Sequence, residues 1–254
     1  MLVVSKTHAG LVRKNNEDSL LVKEPYIFAV ADGMGGHASG EIASRQALKA
    51  FSAATHSLRK ASSERIRNTL LEALRKANEH VLKMATGNEE YSGMGTTLTA
   101  LYLPGNGTAY FCHVGDSRLY IYRNGFLQKR THDNTYVEDL KDKGRITAKE
   151  AAIHPDRHML IQAIGVEEKI KPQCEIFSVT KEDRLLLCTD GLTDMVNDEE
   201  LLELLSEPKI DICADNLLEK ALNNGGRDNV SFIIIDMTQA AKQENSCEEV
   251  STNG

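Results

Sequence analysis

Four short segments share one pattern, an apolar run meeting an aspartate beside a small or turn-forming residue. They are Ile27-Phe28-Ala29-Val30-Ala31-Asp32-Gly33, Phe111-Cys112-His113-Val114-Gly115-Asp116-Ser117, Leu185-Leu186-Leu187-Cys188-Thr189-Asp190-Gly191 and, with the order reversed, Gly225-Gly226-Arg227-Asp228-Asn229. Aspartate is poor inside a strand; at a strand end it projects a carboxylate from a rigid scaffold, and a neighbouring glycine admits close backbone approach. A single Asp-Gly pair reads as an ordinary turn. Four such segments, joined by Asp18 in Arg13-Lys14-Asn15-Asn16-Glu17-Asp18, suggest convergence instead. Convergent carboxylates repel and desolvate one another at high cost, which hard divalent cations offset. An all-oxygen set without His or Cys favours Mg²⁺ or Mn²⁺ over zinc. Two such ions ~3.5–4 Å apart activate a bridging water and clamp the oxygens of an in-line displacement. Arg13 supplies a bidentate fork for a phosphate.

The elements that must hold these residues are legible in outline. Strand-like runs cover 19–22, 26–31, 97–103, 108–114, 118–123, 126–129, 184–188 and 230–236. Asn124-Gly125 between two of them is a strong hairpin signal. Ala43, Ala47, Ala50, Phe51, Ala54 and Leu58 form one apolar stripe at helical spacing, and Ile66, Leu70, Ala73, Ala77, Val81 and Met84 form a second. Basic residues on these helices read as a solvated face. Strands, two consecutive helices, then hairpins make an α+β chain and not an alternating βαβ one.

Composition narrows the class. The chain has 254 residues with 30 Lys+Arg against 37 Asp+Glu, a formal net charge of −7. That acidity argues against nucleic-acid binding. The longest apolar run, 26–31, is far short of the ~20 residues that span a bilayer, so no membrane association is expected. No signal peptide is visible at the start. The five cysteines are scattered without a C-x-x-C pair, which predicts reduced thiols in a cytoplasmic protein. Residues 1–238 read as one domain, and the polar stretch 239–254 as a frayed tail.

Eight segments in order carry a resemblance: 10–18; Val30-Ala31-Asp32-Gly33-Met34-Gly35-Gly36-His37; Gly93-Met94-Gly95-Thr96-Thr97; His113-Val114-Gly115-Asp116-Ser117-Arg118; Gly144-Arg145-Ile146-Thr147; 160–165; Asp190-Gly191-Leu192-Thr193-Asp194; and 225–231. Together they resemble the metal-dependent protein serine/threonine phosphatases of the type-2C class, in their short bacterial form, over nearly the whole chain. The resemblance implies a four-layer α-β-β-α sandwich, two antiparallel sheets packed face to face with helices outside. It implies a phosphatase for phosphoserine and phosphothreonine in proteins, with two Mn²⁺ or Mg²⁺ ions activating a bridging water. Asp32, Asp190 and Asp228 match the ligands of one ion. Asp32 and the Gly33 carbonyl match those of the other, with Asp18 or Glu17 acting directly or through water. Asp116 and Asp194 match a third-ion position, Arg13 the phosphate-binding arginine, and about 136–158 a variable flap. His37 is a candidate leaving-group acid. Phosphorylated proteins, an opposing serine/threonine kinase, a monomer and a bacterial cytoplasm complete the expectation. The alternatives are a metal-dependent phosphoesterase for small molecules and a non-catalytic phosphoprotein-binding domain.

Two places depart from the family pattern. Arg130-Thr131-His132-Asp133-Asn134 replaces a usual Leu-Thr-x-Asp-His, and His158 stands where Asn is usual; both bear on flap packing or substrate preference. Three other motifs are set aside. Cys112 to Arg118 has the C-x5-R spacing of cysteine-dependent phosphatases, but Asp116 would point an anion into the cradle. Gly33-Met34-Gly35-Gly36-His37-Ala38 fits a dinucleotide fingerprint, but no Asp or Glu lies between Glu41 and Glu64. His154 and His158 share i,i+4 spacing without a third zinc ligand.

Overall fold

Alternation along the central strands decides the architecture. Leu185 and Leu187 of β10 (Asp183–Cys188) pack into one apolar cluster while Leu186 and Cys188 pack into another, and Ile233, Ile235, Phe232 and Ile234 of β11 (Val230–Asp236) divide in the same way. A strand that is apolar on both faces must be covered on both sides. The computed structural model describes residues 1–24, 26–35, 39–55, 58 and 61–237. His37 and the expected tail at 239–254 lie outside the described residues.

One sheet has the order β1-β11-β10-β7-β8, adding β1 (Leu2–His8), β7 (Arg118–Arg123) and β8 (Phe126–Lys129). The other has the order β2-β3-β5-β6-β9, with β2 (Asp18–Lys23), β3 (Ile27–Met34), β5 (Leu98–Tyr102), β6 (Thr108–Val114) and β9 (Gln173–Ser178); the short β4 (Gly95–Thr96) pairs with the end of β3. All these pairings are antiparallel. Phe28, Val30, Phe111, Leu119, Leu185 and Ile233 fill the space between the sheets. Helices α1 (Ser39–Ala54) and α2 (Ser63–Gly87) lay the predicted stripes of Ala43, Ala47 and Phe51, and of Ile66, Leu70 and Val81, on the outer face of the second sheet. In the flap segment α3 (Tyr136–Asp142) and α4 (Ala148–Ala152) follow. Helices α5 (Asp190–Thr193), α6 (Asp198–Leu205) and α7 (Ile210–Asn223) cover the first sheet. The four layers are α-β-β-α, as the resemblance implies. Among the described residues no helix is long and apolar enough to cross a membrane.

The Asn124-Gly125 hairpin forms as expected, with φ of 51° and 78°, the backbone of a two-residue type I′ turn. The expectation of unpaired cysteines fails at one place. Cys112 of β6 stands opposite Cys174 of β9, with Cα atoms 4.3 Å apart, and the two form a disulfide. Strand β9 is not legible in the sequence, so neither is this register. Cys112 is therefore bonded across the sheet and Arg118 is paired elsewhere, which removes the C-x5-R cradle.

Candidate metal centre

The aspartates meet where strand ends of both sheets open into a cleft of about 580 Å³, lined by Arg13, Glu17, Asp32, Gly33, Asp116, His158, Asp190 and Asp228 among others. Asp18, which does not itself line the cleft, is buried beside Asp32, which does. Asp18 opens β2 directly opposite Asp32 of β3, so the pairing register itself sets two carboxylates side by side. Strand β3 runs past the apolar stretch to Met34, which places Asp32 within the ladder and not after its end. The backbone of Asp32 is fixed by β4 and the residue after it, Thr97. Its N–H donates to Thr97 Oγ1 (2.9 Å), and its carbonyl accepts from Thr96 Oγ1 (2.8 Å) and Thr97 N–H (2.9 Å). Gly33 passes so near the Gly40 carbonyl that a Cβ there would collide with it.

Asp190 opens α5, and the adjacent Gly191 is pressed against the Asn229 carbonyl, leaving no room for a Cβ. Asn229 ties three stretches together. Its Oδ1 accepts from Glu17 N–H at 2.7 Å, and its Nδ2 donates to the carbonyls of Ala9 and Asn15, each at 2.9 Å. The loop carrying Arg13 is thereby held beside Asp228, whose Oδ2 accepts from Arg13 Nη2 at 2.7 Å. Asp116 follows Gly115 (φ 110°), a turn fixed by Asn134, which accepts from Gly115 N–H through Oδ1 and donates its own N–H to the Gly115 carbonyl. Asp133 beside it receives Arg118 Nε (3.0 Å) and Nη2 (2.8 Å) on one oxygen. Beneath the cleft, Thr97, Ser117, Thr99 and His113 form a buried chain of hydrogen bonds. His113 is fully enclosed, and burial pushes its imidazole down to about 4.

Electrostatics set this cluster apart from ordinary turns. Burial pushes Asp18 up to about 8, with repulsion from Asp190 and Asp228 adding to it and bonds from Ser231 and Thr189 opposing it. Burial, then the charges of Asp18 and Asp190, drive Asp32 well above the usual carboxylate range. Burial and the charge of Asp190 do the same to Asp116. Asp194 and Glu17 are also raised, chiefly by burial. Burial works against ionisation of Asp190 as well, but hydrogen bonds from His158 and Asp32 outweigh it and hold this carboxyl below its usual value. Asp18 Oδ2 accepts from Thr189 Oγ1 at 2.9 Å, whereas Asp18 Oδ1 is buried without a hydrogen-bond partner among the described residues. An orphaned buried acceptor among repelling carboxylates fits a hard cation, which supplies the missing partner and the missing charge together.

Of the residues expected from sequence, Asp18, Asp32, Gly33, Asp116, Asp190, Asp228 and Arg13 are brought together around the cleft, and Asp194 adjoins Asp190 at the end of α5. The flap adds His158, with Nδ1 3.6 Å from Asp190 and Nε2 3.4 Å from Asp194. His154 does not join it: its Nδ1 accepts from Asp156 N–H and its ring packs edge-on to Tyr136. Sequence reasoning left the parts of Asn229, Thr97 and Asn134 unassigned, although all but Asn134 lie inside the motifs it singled out.

Residues 8–224 match the family model described as protein phosphatase 2C. The serine/threonine protein phosphatase PstP of Mycobacterium tuberculosis is 40% identical over 233 residues, covering 92% of this chain. The chain spans only 44% of that relative's length. The serine/threonine phosphatase stp of Listeria monocytogenes is 34% identical, covering 93% of this chain and 97% of its own. Among solved structures, the catalytic domain of PstP in complex with two manganese ions superposes with a TM-score of 0.83 at 36% identity, covering 92% of this chain and 97% of that one.

Proposed function

Because this chain belongs to the protein phosphatase 2C family, we propose that it hydrolyses phosphoserine and phosphothreonine in proteins with two Mn²⁺ or Mg²⁺ ions. The observation that carries this reading is the convergence of Asp18, Asp32, Asp190 and Asp228 from separate stretches of the chain on a cleft that also holds Arg13. By motif position Asp32, Asp190 and Asp228 hold one ion, and Asp32 with the Gly33 carbonyl the other, aided by Asp18 or Glu17. What the bound ions supply is a water of lowered pKa and neutralisation of phosphate charge. Everything else falls to the chain. Thr96 of β4, Thr97 and the β2–β3 register orient the carboxylates, and burial keeps bulk water from competing. Arg13 exchanges its bond to Asp228 for the non-transferring phosphate oxygens, where its planar fork fits two at once.

No side-chain nucleophile takes part. The free cysteines among the described residues, Cys188 and Cys213, are buried, and burial pushes their thiols up to about 12 and about 11. The same reading gives the protein phosphorylated partners, an opposing serine/threonine kinase and a place in the bacterial cytoplasm.

The test is phosphate release from phosphoserine and phosphothreonine peptides in the presence of Mn²⁺. Turnover is expected to be lost on chelation, and to fall by roughly 10³-fold or more in Asp32→Ala, Asp190→Ala and Asp228→Ala, the order of a lost charge-stabilising group. Undiminished activity in these variants overturns the reading. A marked preference for phosphorylated metabolites over peptides would move it to a small-molecule esterase.

A further inference from the structure

We infer that residues 160–167, the stretch that follows the flap, form a fixed ledge on which apolar side chains flanking the phosphorylated residue of a protein substrate dock. This rests on the phosphatase reading above and narrows its substrate class to segments that are apolar, and not acidic, beside the phosphate.

The make-up of the cleft wall is the first observation. Glycines apart, its lining is charged or polar except for Met34, Leu160, Ile161, Ala163 and Val166. Four of these five stand on the ledge. Ile161 is 48% and Val166 50% exposed, so both offer apolar surface to whatever enters. Met34 joins them. A Cβ on Gly95 would lie 2.7 Å from Met34 Cε and 2.9 Å from Val166 Cγ2, so the two side chains close over that glycine as one apolar surface. Val166 also lines a second hollow of about 380 Å³, together with Leu82, Ala85 and Met94. An apolar path therefore leads out of the aspartate cleft, past Val166, to the last turns of α2.

How firmly the ledge is held is the second observation. Ile164 is fully buried and exchanges both backbone bonds with Thr96, at 3.0 and 2.8 Å. Asn78, a buried carboxamide of α2, accepts from Gly165 N–H at 2.8 Å and donates to the carbonyls of Glu167 (2.8 Å) and Glu168 (3.3 Å). Ile161 N–H donates to the Asn134 carbonyl at 2.9 Å. The hydroxyl of Thr96 also holds the Asp32 carbonyl, so ledge and aspartate cluster share one anchor. Exposed apolar side chains scattered singly over a surface carry no message. These two stand on a backbone fixed at both ends and beside the phosphate site, and covering a pre-organised surface costs little ordering entropy.

Charge selects the occupant. Glu167 lines the cleft, Glu168 follows it, and Glu89 lines the hollow. An acidic side chain laid along this path meets like charges. An aliphatic or aromatic one removes its own apolar surface, and that of Ile161 and Val166, from water.

The test compares phosphoserine peptides carrying Leu, Ser, Glu or Lys at each nearby position before and after the phosphoserine, with the full chain and Mn²⁺. Every kcat/KM is taken relative to p-nitrophenyl phosphate, which has no flanking residues. Wild type is expected to favour Leu over Ser by roughly tenfold at one or more positions, and to disfavour Glu there. Ile161→Ser and Val166→Ser, singly and together, should lower that preference, to less than about threefold in the double variant. Phe126→Ser, which removes an exposed apolar side chain from β8, should keep it. Equal turnover of the Leu, Ser and Glu peptides, a preference for Glu or Lys over Leu, or a Leu preference that survives in the double variant overturns the inference and leaves the phosphatase reading standing. Absence of phosphate release from every peptide overturns both.

Discussion

Arg13 and Asp228, 215 residues apart in the chain, are joined by a 2.7 Å bond from Nη2 to Oδ2. The pair links the proposed phosphate-binding arginine to a proposed metal aspartate and holds the arginine at the cleft; on the proposed reading, phosphate takes the place of Asp228 as its partner. Its side chain is 58% exposed, and an exposed pair of this kind adds little to stability. Arg13→Ala should therefore leave the melting temperature nearly unchanged while kcat/KM for a phosphopeptide falls ~10–100-fold, the worth of a charge-assisted bond or two. Arg13→Lys should recover only part, since a point charge lacks the fork. Steady-state kinetics beside a thermal melt separates the two effects.

Asp18 carries the metal argument into stability. Its folded carboxyl is raised to about 8 by burial, so the stability it contributes is present below the ordinary carboxylate range and lost as pH rises through that value. The metal-free protein should thus weaken between pH 5 and 8, and Mn²⁺ should raise the melting temperature more at pH 7.5 than at pH 5. Asp18→Asn, which removes the charge and keeps the shape, should stabilise the metal-free protein at pH 7.5 and shrink the Mn²⁺-induced shift. A pH-independent Mn²⁺ shift in wild type would contradict this account.

Much of this site was legible because its signals are local. An apolar run ending in aspartate and glycine announces Asp32, Asp116 and Asp190 without knowledge of the fold, and the apolar stripes announce α1 and α2. What was lost depends on partners. Strand β1 reads Leu-Val-Val-Ser-Lys-Thr-His and β9 reads Gln-Cys-Glu-Ile-Phe-Ser. Both are edge strands with polar interruptions, and pairing with β11 and β6 makes them strands. The apolar run of β3 stops at Ala31, yet the strand continues, because Asp18 opposite Asp32 and Thr96 opposite Gly33 supply the ladder. Helix α6 did carry a readable signal, the Asn197–Glu200 capping box, but its 8 residues are too few for a periodicity to stand out. The meeting of His158 with Asp190 and Asp194 has no sequence signal at all, since it depends on where the flap folds back.

His113 gives a pH dependence of opposite sign. Burial lowers its folded imidazole to about 4, against an ordinary value of 6.5. The unfolded chain therefore takes up a proton that the folded chain refuses, and stability present above pH 6.5 is lost as pH falls toward 4. The loss amounts to roughly 3 kcal/mol over that interval, at about 1.4 kcal/mol per unit. Urea denaturation of wild type and His113→Gln between pH 7 and 4 should show a steeper fall in wild type. The carboxylates common to both cancel in the difference, so parallel curves would mean that His113 is already protonated when folded.

Asn229 offers the sharpest test of how the arginine loop is positioned. Its carboxamide accepts from Glu17 N–H and donates to the carbonyls of Ala9 and Asn15, three bonds that no other side chain among the described residues duplicates. Asn229→Ala removes all three, and at about 1 kcal/mol net for each the fold should weaken by roughly 2–3 kcal/mol in urea. Asn229→Asp is more discriminating. It keeps the acceptor for Glu17 but turns an oxygen toward two carbonyls and adds a charge beside Asp228. If the loop's attachment positions Arg13, this variant should raise KM for phosphopeptide more than it lowers kcat, because the carboxylates on β3 and α5 remain in place. A drop in kcat at unchanged KM would place the role of Asn229 in the metal centre instead.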